Sequence, residues 1–239
     1  MGDVTIPVGG HRAIPAYFAP ARDVEGPAPG VVVVHEAFGL TPAMREIADG
    51  FAARGYHALA PDLMSFAGRM RCLVQITRAL TAGQGRSFDE LEAARAWLAD
   101  REDSTGKVGV AGFCLGGAFA LLLATRGFDA SAAQYGRLPK RIEEAFGGSC
   151  PVVASYGGKD SSLRGAAVQL ESALVAQGVR HDVKEYPEAG HSFMSHSEQD
   201  APAWMRPISR RLLNVGYVDT AAQDSWERID AIFSDCLRG

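Results

Sequence analysis

Val108-Gly109-Val110-Ala111-Gly112-Phe113-Cys114-Leu115-Gly116-Gly117-Ala118-Phe119-Ala120-Leu121 is the stretch that decides the fold. Its first part predicts a strand over Lys107–Phe113, and its last part an apolar helix over Leu115–Thr125. Between them, Gly112-Phe113-Cys114-Leu115-Gly116 matches the G-x-S-x-G pattern, with cysteine in the serine position. That pattern makes a sharp strand–nucleophile–helix turn. Gly112 and Gly116 stand two positions either side of Cys114 and leave the crowded turn free of side chains. The helix that follows aims unpaired N–H groups and the positive end of its dipole at the sulfur. A cysteine that only filled a core would need none of this frame.

Working outward, Val4–Val8 and Ile14–Phe18 flank Gly9-Gly10 and predict a β-hairpin. Val31–Val34 is a continuous β-branched run, as expected of a strand buried on both faces of a parallel sheet. Thr41-Pro42 gives an N-cap and a first-turn proline for a helix to about Arg54, with Gly55 closing it. Tyr56–Ala60 predicts a strand. Ser87, with Glu90 three residues on, predicts a capping box and a helix through Ala99. Further strands are predicted at Pro151–Tyr156 and Asp182–Tyr186, with a helix from Leu163 to Gln177 between them. One or two tail helices are expected, near Pro202–Leu213 and Ala221–Leu237. Strands alternating with helices predict an α/β fold: a mostly parallel central sheet flanked by helices, in a single domain over residues 1–239.

A chain of 239 residues can bury a substantial core, and 47% hydrophobic with 22% charged residues is the profile of a globular protein. The formal net charge of −4 and the lack of a long Lys/Arg run argue against a nucleic-acid partner. No apolar stretch approaches the ~20 residues that span a bilayer, so no membrane partner is expected. The N-terminus has no basic region followed by an apolar one, and the expected location is the cytoplasm. Cys72, Cys114, Cys150 and Cys236 form no CxxC pair, which argues against zinc ribbons and thioredoxin chemistry. The other three are read as structural. His35-Glu36 lacks the second histidine of H-E-x-x-H, and neither a metal nor a cofactor is predicted.

A thiol is a weak nucleophile until a base removes its proton. His191, in Glu188-Ala189-Gly190-His191-Ser192-Phe193, follows the strand that ends at Tyr186. Asp160, in Gly157-Gly158-Lys159-Asp160, follows another strand. Loops at the carboxyl ends of strands are where open α/β sheets build their sites. The order Cys114, Asp160, His191 is the nucleophile–acid–histidine order of the α/β-hydrolase fold. Glu36 ends the Val31–Val34 strand in His35-Glu36-Ala37-Phe38-Gly39. The backbone N–H of Leu115 and that of Ala37 are the predicted oxyanion hole.

Together these segments resemble the dienelactone hydrolase family over roughly Gly30 to His196. The resemblance rests on His35-Glu36-Ala37-Phe38-Gly39, the Gly112–Gly117 elbow, Asp160 after its Gly-Gly loop, and Ala189-Gly190-His191-Ser192-Phe193. It implies a cysteine-dependent hydrolase of small esters or lactones that works through an acyl-enzyme on Cys114. In that scheme the thiol stays neutral until substrate binding turns Glu36 toward it, and His191, oriented by Asp160, assists the water that releases the acid. The family also holds a substrate carboxylate with arginines. One of them lies four residues after the histidine, where this chain has Ser195, and Arg69, Arg71, Arg78 and Arg86 are candidates for another. Arginine forks onto a carboxylate in a way serine cannot. Phe38 and Tyr135, with Phe113 and Phe193, are the expected lining, and Ser195, Arg69 and Arg71 the expected polar contacts. A thioesterase, a general carboxylesterase, or a ligand-binding or thiol-sensing protein on the same fold stay open at this level. Oligomeric state is not readable from the sequence.

Overall fold

The computed structural model describes residues 1–10, 12–196, 199–200, 207, 211 and 213–239. The predicted hairpin pairs β1 (Gly2–Pro7) with β2 (Ala13–Ala19), and Ile6 faces Ile14 across it with both side chains fully buried. The chain continues through β3 (Ala28–Val34), α1 (Pro42–Ala52), β4 (His57–Pro61), α2 (Arg69–Ala82), α3 (Arg86–Ala99) and β5 (Ser104–Phe113). It then forms α4 (Leu115–Leu123), β6 (Ala130–Gln134), β7 (Val152–Gly157), α5 (Ala166–Ala176), β8 (His181–Tyr186) and α6 (Asp219–Leu237). The strands make one sheet in the order β1-β2-β4-β3-β5-β6-β7-β8. Both pairings of β2 are antiparallel, and β4 through β8 run parallel.

All seven residues of β3 are buried, because helices cover both faces of the sheet there. The register shows the two layers. A side chain at Gly30 would meet Leu98 of α3, whereas one at Gly109 would meet Phe233 and Leu237 of α6. Gly30 pairs with Val108, so Gly109 points to the opposite face. On the α6 side, Phe51 of α1 packs edge-on to Trp226 at 4.8 Å and against Phe233 at 6.1 Å. On the other side Phe88 of α3 meets Phe119 of α4 at 5.1 Å. No helix among the described residues is long and apolar enough to cross a membrane.

Three local expectations change. The segment between β4 and α3, read without an element, is helix α2. Only Cys72, Ile76 and Ala79 of it are buried, a stripe too narrow to stand out among its arginines, threonines and glutamine. Ala130–Gln134 is a strand despite its poor β-formers, because it is fully buried between β5 and β7, where Ser131 Oγ donates to the Ala120 carbonyl at 2.8 Å. The capping box at Ser87 does not form. Gly85 holds the N-cap position, Ser87 lies inside the first turn, and Glu90 accepts instead from Arg86 Nε at 2.6 Å. The helix expected over Pro202–Leu213 lies largely outside the described residues.

Candidate active site

The carboxyl ends of β3, β5, β6, β7 and β8 carry Glu36, Cys114, Tyr135, Asp160 and His191 in turn. Cys114 adopts φ 54° and ψ −110°, a backbone conformation that L-residues rarely take up. Its N–H donates to the Gln134 carbonyl at 3.0 Å, and its own carbonyl starts α4 by accepting from the Gly117 N–H at 3.1 Å. A Cβ on Gly112 would lie 1.9 Å from the Gly116 carbonyl oxygen, and one on Gly116 would lie 2.0 Å from that of Val34. Both obstacles are backbone, so the glycine frame is what lets β3, the turn and α4 close together. The N–H of Leu115 sits in the first turn of α4, where it has no partner within the helix. The Ala37 N–H makes no backbone hydrogen bond among the described residues.

Asp160 is 1% exposed, and its Oδ2 lies 2.6 Å from His191 Nδ1. Its other oxygen accepts from the N–H of Ser162 at 2.9 Å and from the Ser162 hydroxyl at 2.6 Å. Burial disfavours the carboxylate, but the donors from His191 and Ser162 outweigh it and hold the Asp160 carboxyl below its ordinary range. Burial likewise disfavours charge on His191. The bond to Asp160 and the neighbouring Cys114 sulfur prevail, and the imidazole is pushed up to about 10. The His191 N–H donates to the Leu213 carbonyl at 2.9 Å, which fixes the loop that carries it.

Glu36 is 3% exposed and accepts from two hydroxyls: Ser195 donates to Oε1 at 3.0 Å and Tyr135 at 3.3 Å. Tyr135 is itself strained at φ 42°. Its ring lies 5.2 Å from His191 and 5.4 Å from Phe193, and 6.2 Å from Phe113. Burial, the Glu36 carboxylate and the Cys114 sulfur raise its phenol well above the usual value, so it stays a donor. Tyr135 therefore joins Glu36 to the cysteine–histidine side of the site.

The remaining predicted residues separate. Arg69 donates to the Phe38 carbonyl at 2.9 Å and lies over the Phe38 ring, which is partly exposed. Arg71 is exposed on α2. Arg78 and Arg86 line a groove of about 580 Å³ between α2 and α3, with Phe66 and Gln75, and none of Glu36, Cys114, Asp160 or His191 lines it. Ser195, expected to face substrate, is 3% exposed and turned onto Glu36. Two contributors went unread in the sequence, Ser162 and His35. The Asp160-Ser161-Ser162 turn offered a local signal for the first, since Asp side chains bond the backbone two residues on. His35 bonds to a loop remote in sequence and offered none.

The sequence pattern of the dienelactone hydrolase family matches residues 14–237. A carboxymethylenebutenolidase of Pseudomonas putida is 32% identical over 195 residues, 77% of this chain and 81% of that one. Among solved structures, a dienelactone hydrolase-like promiscuous phosphotriesterase from metagenomic libraries superposes with a TM-score of 0.81 at 26% identity, covering 98% of this chain and 97% of that one. The dienelactone hydrolase of Anabaena variabilis gives 0.68 at 21% identity, over 98% of this chain and 97% of that one, a likeness of fold. The fold is that of the α/β-hydrolases, and the chain belongs to the dienelactone hydrolase family.

Proposed function

We propose that this hydrolase cleaves small carboxylic esters or lactones through an acyl-enzyme on Cys114. The observation that carries the reading is the Asp160–His191 pair, with 2.6 Å between Oδ2 and Nδ1, at the same end of the sheet as Cys114 in its strained elbow at the N-terminus of α4. In the first step His191, oriented by Asp160, takes the thiol proton of Cys114. The thiolate attacks the carbonyl carbon and forms a C–S bond. The resulting oxyanion lies between the N–H groups of Leu115 and Ala37. The carbonyl re-forms, the C–O bond to the alcohol breaks, and the His191 imidazolium gives the leaving oxygen its proton. Once sulfur is acylated, its charge no longer holds the proton on His191, and the neutral ring takes a proton from water. The hydroxide adds to the thioester, the C–S bond breaks, and the acid leaves. Glu36 is a second acceptor for the thiol proton, once its carboxylate turns from the hydroxyls of Tyr135 and Ser195.

The test is turnover of aryl esters, lactones and thioesters by the wild type and by Cys114→Ala. Removing a nucleophile of this kind costs on the order of 10⁶-fold in kcat when the other machinery is intact, and at least a 10³-fold loss is expected. Undiminished ester turnover by Cys114→Ala would remove the assignment.

A further inference from the structure

His35 is 1% exposed, and both of its ring nitrogens are committed to backbone groups. The Leu63 N–H donates to Nε2 at 3.1 Å, and Nδ1 lies 2.7 Å from the Glu36 carbonyl oxygen. A nitrogen that accepts a hydrogen bond carries no proton, so Nδ1 holds the hydrogen and donates to Glu36. Only the neutral Nδ1–H tautomer satisfies both bonds at once. Burial, which lowers the ring's pKa, favours the same form. The charged neighbour, Asp62, stands 4.0 Å from Nε2, and its Oδ1 already accepts from the Met64 N–H at 3.0 Å.

Glu36 and Leu63 follow neighbouring strands, β3 and β4. The imidazole therefore ties the loop that bears Glu36 and Ala37 to the loop after β4. That second loop is a firm anchor. The Asp62 N–H donates to the Pro15 carbonyl at 2.8 Å, and Cys72 Sγ donates to the Met64 carbonyl at 3.2 Å. From the outside, Arg69 holds the Phe38 carbonyl. We propose that His35 is a positioning residue for the hydrolytic reaction: a buried neutral imidazole that, through the Glu36 backbone carbonyl, fixes the Ala37 N–H relative to Cys114, while the Glu36 carboxylate is held separately by Ser195 and Tyr135. It acts through the backbone and touches no substrate. The inference rests on the acyl-enzyme reading above, in which the Ala37 N–H meets the oxyanion. A preorganised donor helps only where charge develops, so its loss falls on kcat.

The experiment compares His35→Leu, which fills the space without either bond, with His35→Gln, whose amide can both accept and donate. Small misplacements of catalytic groups cost up to ~10²-fold, so His35→Leu is expected to lower kcat by roughly 10- to 100-fold with KM changed less than about threefold. His35→Gln is expected to recover most of that loss. Alkylation of Cys114 by iodoacetamide is expected to keep the wild-type rate in both variants, because the thiol and His191 are undisturbed. Wild-type kcat in His35→Leu, or alkylation that slows in step with kcat, would overturn the proposal. Nitrogen-15 NMR of the wild type supplies a measurement that needs no variant to fold. A single Nδ1–H tautomer with bare Nε2, persisting through the ordinary histidine range, is expected, and an Nε2–H tautomer would overturn the proposal. Failure of the underlying reading shows itself separately, as ester turnover that survives Cys114→Ala.

Discussion

Burial draws both Asp160 and His191 toward their neutral forms, and the 2.6 Å contact between them draws both toward charge. The contact wins, and stability inherits its pH dependence. A histidine whose folded pKa stands above its ordinary value stabilises the fold fully below that ordinary value, about 6.5, and loses the contribution as pH rises toward about 10. The urea midpoint of the wild type is therefore expected to fall across that alkaline interval. Asp160→Asn should flatten the slope, and a wild-type midpoint that holds steady would contradict the coupling. Residue by residue, legibility followed locality. Cys114, Asp160 and His191 each stand in a short motif beside a strand end, so their convergence could be anticipated. Ser195 turned inward because the Glu36 carboxylate is buried and takes hydrogen bonds there, a demand set by residues remote in sequence.

Among the elements, the sheet read well wherever strands were β-branched, as in β3, and poorly where burial alone made the strand, as in Ala130–Gln134. Helix α2 escaped because its three buried residues give a weak stripe and its start at Gly68 has no side-chain cap. At the start of α3, sequence spacing suggested a box that backbone geometry does not make: Gly85 takes the N-cap position at φ 118°, where a serine would be strained. Ser87 is then an interior helical residue. Replacing a true N-cap serine by alanine costs about 1 kcal/mol, whereas Ser87→Ala is expected to shift stability by less than about 0.5 kcal/mol. Urea unfolding of the two proteins checks this, and a loss near 1 kcal/mol would restore the capping role.

At the scale of the whole molecule, the six parallel strands deliver six loops to one end of the sheet, five of them bearing the candidate site residues, and the helices on both faces keep those loop bases in register. That is why a pattern of strand ends, read along the sequence, foreshadowed which positions would meet. The groove between α2 and α3 was not foreshadowed, since it depends on how two helices lie together. In the proposed reaction an acyl group resides on one sulfur during turnover. Rapid acid quench of the enzyme with an excess of aryl ester, followed by peptide mass spectrometry, locates it. The expected result is the substrate's acyl mass on the peptide carrying Cys114, absent in Cys114→Ala. Turnover with that peptide unmodified, or with the acyl group on Cys72, Cys150 or Cys236, would contradict it.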